Sequence, residues 1–184
     1  MYSITGGNIL LDINLILDKI HLKENMKVAD LGCGSSGHFV FPIANKLGKS
    51  GIVYAVDILK TVLETINKRI KQENIKNIKT TWSDLEIFGA TRIESGSIDL
   101  AFLVNTLYQA KNRPAILREA IRILKKDGRL IIVEWKNSSL PFGPPAQERV
   151  KEDLLKNGCQ KLGLKLEEEF NPGQYHYGMI FSKL

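Results

Sequence analysis

The chain has 184 residues, of which 43% are hydrophobic and 25% charged; this suits one domain with a single sizeable core and argues against disorder or a fibrous class. No uncharged apolar run reaches the roughly 18 residues that a membrane span requires. The opening MYSITGGNILLDINLILDKI is broken by Asp12, Asn14 and Asp18 and lacks a basic start, so it does not read as a secretion signal, and a cytoplasmic place is expected.

The pattern alternates short β runs with amphipathic helices. Residues 9–20 place Leu10, Ile13, Leu17 and Ile20 at helical spacing. Residues 27–31 (KVADL) predict a strand that runs into glycine, and 39–47 a short helix closed by Gly48. Residues 51–57 (GIVYAVD) are a strand and 61–73 a helix with a charged outer face. Strands follow at 78–82 and 97–104, then a helix at 115–124 with Pro114 near its first turn. Lys126-Asp127-Gly128 reads as a turn before a strand over 129–135. Residues 137–147, with Pro141, Pro144 and Pro145, form the one long loop, and loops of that length are often functional. A helix over 147–162 leads to strands at 164–170 and 175–182, joined through Asn171-Pro172-Gly173 as an antiparallel hairpin. The whole predicts one α/β domain over residues 1–184, with residues 1–24 as an N-terminal helix and lid segment. Its sheet should be largely parallel, covered by helices on both faces.

Cys33 and Cys159 lie far apart, and His21, His38 and His176 are scattered; no metal site is expected. The net charge of +6 is spread along the chain, with Lys60 and Lys68 sharing a helix with Glu64, and Arg118, Arg122 and Lys125 flanking Glu119. Such mixing predicts a solvated surface and no dedicated nucleic-acid site, although Lys68, Arg69, Lys71, Lys76 and Lys79 gather toward one sheet edge.

The chemistry concentrates in Val28-Ala29-Asp30-Leu31-Gly32-Cys33-Gly34-Ser35-Ser36-Gly37, which ends a strand and opens a helix. Glycines there permit a sharp turn and a close ligand approach, and the helix start offers free amide donors. Gly32 to Gly37 also fits the G-x-G-x-x-G dinucleotide fingerprint, so an NAD(P)-binding protein is a rival reading. Asp30 discriminates between them: a carboxylate directly before the loop suits an ammonium and repels a pyrophosphate. Asp57, at the end of the second strand, suits a ribose diol and serves either reading.

The order VADLGCGSSG, VYAVD, SDLE, SIDLAFLVNTLY and LKKDGRLIIVEW resembles class I S-adenosylmethionine (SAM)-dependent methyltransferases, in particular the ubiquinone/menaquinone-biosynthesis branch, over residues 20–184. The resemblance implies a Rossmann-like sandwich with strand order 3-2-1-4-5-7-6 and strand 7 antiparallel. It implies SAM as cofactor and S-adenosylhomocysteine as product. By position, Asp30, Gly32, Cys33 and Gly34 would line the methionine end, Asp57 and Ile58 the ribose and adenine, Asp84 and Leu85 the adenine edge. Asn105 would lie beneath the sulfonium. The usual G-x-G-x-G is altered: Ser36 stands at the third glycine and Gly37 follows it, so Ser35, Ser36, Gly37 and His38 all remain candidates for contact with SAM.

Methyl transfer from a sulfonium is an in-line displacement that positioning alone accelerates greatly, so no catalytic dyad is compulsory. Tyr108 and His38 are the candidate acceptor-side residues. Asn105-Thr106-Leu107-Tyr108 shares its ends with the N-P-P-Y box of DNA amino-methylating enzymes but lacks both prolines, which disfavours that activity. Three classes stay open: a methyltransferase for a small-molecule acceptor, which the compact chain favours; one for RNA or protein; and a non-catalytic SAM- or nucleotide-binding module. Residues 1 to about 8 and the loop from Asn137 to Pro145 are expected to cover the acceptor side as lids.

Overall fold

The computed structural model describes residues 11–137 and 143–184. The beginning of the 9–20 helix, both lid segments in large part and Pro141 therefore lie outside the described residues. In chain order the elements are α1 (Ile13–Lys19), β1 (Lys27–Leu31), α2 (Val40–Leu47), β2 (Ile52–Asp57), α3 (Lys60–Gln72), β3 (Ile78–Trp82) and β4 (Ile98–Val104), followed by a 3-10 turn (Leu107–Gln109). Then come α4 (Arg113–Ile123), β5 (Leu124–Trp135), α5 (Glu152–Lys161), β6 (Leu164–Gly173) and β7 (His176–Lys183). Local chemistry sets several ends. Asp12 caps α1 by accepting from Leu15 N at 3.0 Å. Asn112 caps α4 by accepting from Ala115 N, with Pro114 in the first turn. Gly48 closes α2 at φ +63°.

The seven strands form one sheet in the order β3-β2-β1-β4-β5-β7-β6, parallel except for the antiparallel pairing of β7 with β5 and β6. Alternation along the strands feeds two cores. Val28, Val53, Leu100, Phe102, Ile131 and Val133 pack with α1, α2 and α3 on one face. Ala29, Leu31, Val56, Ala101, Leu103 and Ile132 pack with α4 and α5 on the other. Among the described residues no helix is long and apolar enough to cross a membrane.

Three local expectations are corrected. The helix expected from 147 begins at Glu152. Glu148 N and Arg149 N instead close tight turns onto Pro145 O and Ala146 O, Val150 O is held by the Tyr177 hydroxyl at 2.9 Å, and Lys151 is extended, so the helix starts after it. The hairpin turns at Gln174-Tyr175, since Gly173 still pairs with His176; Asn171-Pro172 forms an irregularity inside β6, and Pro172 O accepts from Asp12 N. Tyr175 therefore sits in the turn, outside both strands. Lys126-Asp127-Gly128 lies within β5 as a bulge: β4 advances from Ile98 to Leu100 while β5 advances from Leu124 to Arg129, and Asp127 takes φ +61°.

Candidate functional site

The ends of β1 and β2 are stitched together before any ligand is considered. Gly32 N and Cys33 N both donate to Val56 O, at 2.8 and 3.0 Å, so the chain leaving β1 bends back over β2. Gly32 stands at φ +86°, and a Cβ there would come within 2.7 Å of Thr106 Oγ1. That hydroxyl donates to Leu31 O at 2.9 Å, so the segment after β4 closes directly on the glycine turn. Gly34, at φ +62°, has open space where a Cβ would stand. Its N–H donates to Asp57 Oδ2 at 3.1 Å, and Leu59 N donates to Asp57 Oδ1 at 3.0 Å. One buried carboxylate thus fixes both loops, and each of its oxygens keeps a further lone pair for a ligand.

The end of β3 completes the arrangement. Ser83 N donates to Asp57 O, and Ser83 Oγ is buried with no hydrogen-bond partner among the described residues. Asp84 Oδ1 accepts from Glu86 N at 2.9 Å, turning the chain into the next loop. These ends enclose a cavity of about 400 Å³ lined by Gly32, Gly34, Asp57, Ile58, Ser83, Asp84, Leu85, Thr106, Gln109 and Ala110, among others. It opens outside the carboxyl ends of the strands, beside the point where the strand order reverses, the place where open α/β sheets take ligands.

Asp30 is buried in β1 at the base of this loop, 2% exposed. Burial, reinforced by the negative charge of Asp57, pushes its carboxyl up to about 7. A buried acid in this state gains most from a cation placed beside it.

Six of the expected residues, Gly32, Gly34, Asp57, Ile58, Asp84 and Leu85, line this one cavity, with Asp30 next to it. The others are placed differently. Cys33 is buried in the core, and burial raises its thiol well above the usual range. A Cβ at Gly37 would strike the Phe41 ring and Ile66, so its left-handed glycine serves packing. Ser35, Ser36, Gly37 and His38 line a separate cavity of about 850 Å³ against α1, Arg69 and Pro172. His38 Nε2 is buried there without a partner among the described residues, and burial lowers its pKa. Asn105 adopts φ +53° and its Oδ1 is buried unpaired among the described residues, but its neighbour Thr106 lines the 400 Å³ cavity. Tyr108 lies in the 3-10 turn, packed against the α4–α5 core, where burial with Glu134 and Glu148 raises its pKa.

Ser83, Thr106, Gln109 and Glu134 were not singled out from the sequence. Ser83 and Thr106 stand one residue from expected positions, and their signal is adjacency to a strand end. Glu134 had a clearer one: an acid inside the apolar run LIIVEW.

Comparison with known proteins identifies the family and the fold. A family model described as a methyltransferase domain matches residues 22–176. A demethylmenaquinone methyltransferase of Lactococcus lactis is 29% identical over 123 residues, covering 67% of this chain and 47% of the relative. A 2-phytyl-1,4-naphtoquinone methyltransferase of Nostoc punctiforme is 27% identical over 145 residues, covering 79% and 62%. The chain thus spans about half to three-fifths of the length of these relatives. Among solved structures, a SAM-dependent methyltransferase from Aquifex aeolicus superposes with a TM-score of 0.85 at 23% identity, over 95% of this chain and 91% of that one. That likeness shows a shared fold.

Proposed function

The chain belongs to the methyltransferase-domain family, and on that premise we propose that it binds SAM and transfers its methyl group to a small-molecule acceptor. The observation that carries the reading is the buried Asp30 beneath a glycine turn whose neighbouring strand ends in Asp57. The cavity fits the donor. Open space at Gly34 admits a ligand against the backbone, and the orphaned Ser83 Oγ awaits a polar partner.

In this reading Asp30 faces the methionine ammonium, Asp57 accepts from the ribose hydroxyls, and Asp84 with the Leu85 backbone meets the adenine edge. Bound SAM supplies a methyl group on a positively charged sulfur, activated for in-line displacement. The chain's own part is to orient: acids at the base of the site favour a cationic ligand, and Thr106 with Gln109 and Ala110 walls one side. Asn105, held in a left-handed conformation, belongs to the acceptor side of that wall. A pyrophosphate-bearing dinucleotide would meet the Asp30 carboxylate, which disfavours the NAD(P) reading. The names of the two relatives support a quinone-type acceptor.

Calorimetric titration with S-adenosylhomocysteine and with NAD(H) tests the cofactor. Binding of the first and none of the second is expected, and the opposite result would end the proposal. Turnover of methyl-labelled SAM with a demethylated naphthoquinone, an RNA pool and a protein lysate then tests the acceptor, with label expected only in the quinone arm. Label in RNA or protein alone would replace the small-molecule reading.

A further inference from the structure

Glu134 is completely buried in β5, on the sheet face that packs against α4 and α5. An acid in such a place is costly unless it is held by donors. Its Oε1 accepts from Leu107 N at 2.6 Å, and the backbone N–H groups of Tyr108 and Trp135 also face the carboxylate. Leu107 begins the 3-10 turn that carries the cavity wall formed by Thr106, Gln109 and Ala110.

The same turn is also gripped by its carbonyls. Arg113 Nε donates to Leu107 O at 2.9 Å, and one of its terminal nitrogens reaches Tyr108 O at 3.5 Å. That nitrogen also donates to Glu148 O at 2.7 Å, in the segment that follows the long loop after β5. An acid in one strand therefore holds the turn by its N–H, and a base in the next helix holds it by its carbonyls. The groups facing Glu134 are Tyr108 from the turn, Arg113 from α4 and Tyr177 from β7, with Glu148, Glu152 and Cys159 farther out around the two tyrosines.

We propose that Glu134 and Arg113 form a positioning clamp that sets the Thr106–Ala110 wall against the ligand cavity and ties it to the segment at Glu148. The proposal rests on the SAM-binding reading above. Neither residue touches the ligand: they act through the backbone of residues 107 and 108. The clamp is stronger when Glu134 is ionised, because a carboxylate accepts an N–H bond more strongly than a carboxylic acid does. Burial lifts Glu134 to about 7, so its grip changes near neutrality.

The test compares wild type with Glu134→Gln, which keeps an acceptor oxygen and the side-chain length but cannot ionise. S-adenosylhomocysteine affinity is measured by calorimetry at about pH 5.5 and about pH 8.5. Asp30 titrates in both proteins, so the ratio of affinities isolates Glu134. Wild type should bind roughly five-fold more tightly than the variant at the higher pH, with the two converging within about two-fold at the lower, as expected for about 1 kcal/mol of charge-assisted bonding. A ratio that does not change with pH would overturn the clamp, since a merely structural side chain gives a constant offset. In parallel, the Leu107 amide proton of the free wild-type protein should titrate by NMR with a midpoint well above the normal glutamate range, and be flat in Glu134→Gln. A Leu107 amide insensitive to pH in wild type would also overturn it. If wild type binds no S-adenosylhomocysteine while the amide titrates as expected, the SAM reading fails and the clamp on the turn stands.

Discussion

At the scale of single residues, Gly34 separates folding from binding. Its φ of +62° costs an alanine some strain, but nothing lies within 4 Å of the missing Cβ. The strain is on the order of 1 kcal/mol, which lowers Tm by roughly 2–4 °C in a chain of this size. The added methyl group would occupy space beside Asp57 that the proposed ligand needs. Gly34→Ala should therefore fold with a small loss in Tm and lose S-adenosylhomocysteine affinity by about ten-fold or more. Thermal unfolding and calorimetry on one preparation check both halves. Unchanged affinity would place the ligand elsewhere. Gly32 cannot make this distinction, because a Cβ there collides with Thr106 and disturbs the fold and the site together.

At the scale of elements, the parallel half of the sheet was legible because its strands are short apolar runs bounded by glycine or charge. β1 and β3 fall where periodicity puts them, and Asp30 and Asp57 stand out as acids inside or ending such runs. The misplaced boundaries share one cause, tertiary bonds that override local signals. The Asn171-Pro172-Gly173 trio reads as a turn, yet Asp12 N holds Pro172 O and the pairing continues to Gly173 and His176. Just ahead of α5, Tyr177, 27 residues downstream of Val150, holds that residue's carbonyl. In the site, side chains at strand ends were readable. Thr106 and Glu134 were not, since their value lies in contacts with Leu31 and Leu107 that span 75 and 27 residues. The β6–β7 hairpin also contains a packing constraint that periodicity hides. Gly178 pairs with Phe170, and a Cβ there would stand 2.4 Å from the Phe170 ring. Gly178→Ala should destabilise by about 1–3 kcal/mol through overpacking, and Phe170→Leu in the same chain should recover part of that loss. Urea unfolding midpoints of the two variants decide it. Strict additivity of the two changes would show that the ring is not the obstacle.

At the scale of the whole molecule, two buried acids bias stability in the direction opposite to most carboxylates. Asp30 rises from 3.8 to about 7 through burial and Asp57, and Glu134 from 4.5 to about 7 through burial. Between those limits the folded chain keeps protons that the unfolded chain has released, so stability falls as pH rises and levels off above about 7. Glu119 acts the other way. Its bonds from Arg122, Thr91 and Gly89 hold it at about 2, so its contribution is complete above about 4.5 and is lost as pH falls below that. His38, lowered by burial, opposes the two acids just below its ordinary value of 6.5. The balance predicts greatest stability near pH 4 and a decline toward pH 7.5 on the order of a few kcal/mol. The paired variant Asp30→Asn, Glu134→Gln should flatten that decline, as read from urea midpoints across this range. Rising stability in wild type from pH 5 to 7.5 would contradict the burial of both carboxyls. S-adenosylhomocysteine should reshape the same curve. Its ammonium beside Asp30 favours the ionised acid, so binding near neutrality releases a proton and ligand stabilisation grows as pH rises. Calorimetry in two buffers of different ionisation enthalpy should detect that proton in wild type, find it reduced in Asp30→Asn, and find it missing in the paired variant Asp30→Asn, Glu134→Gln.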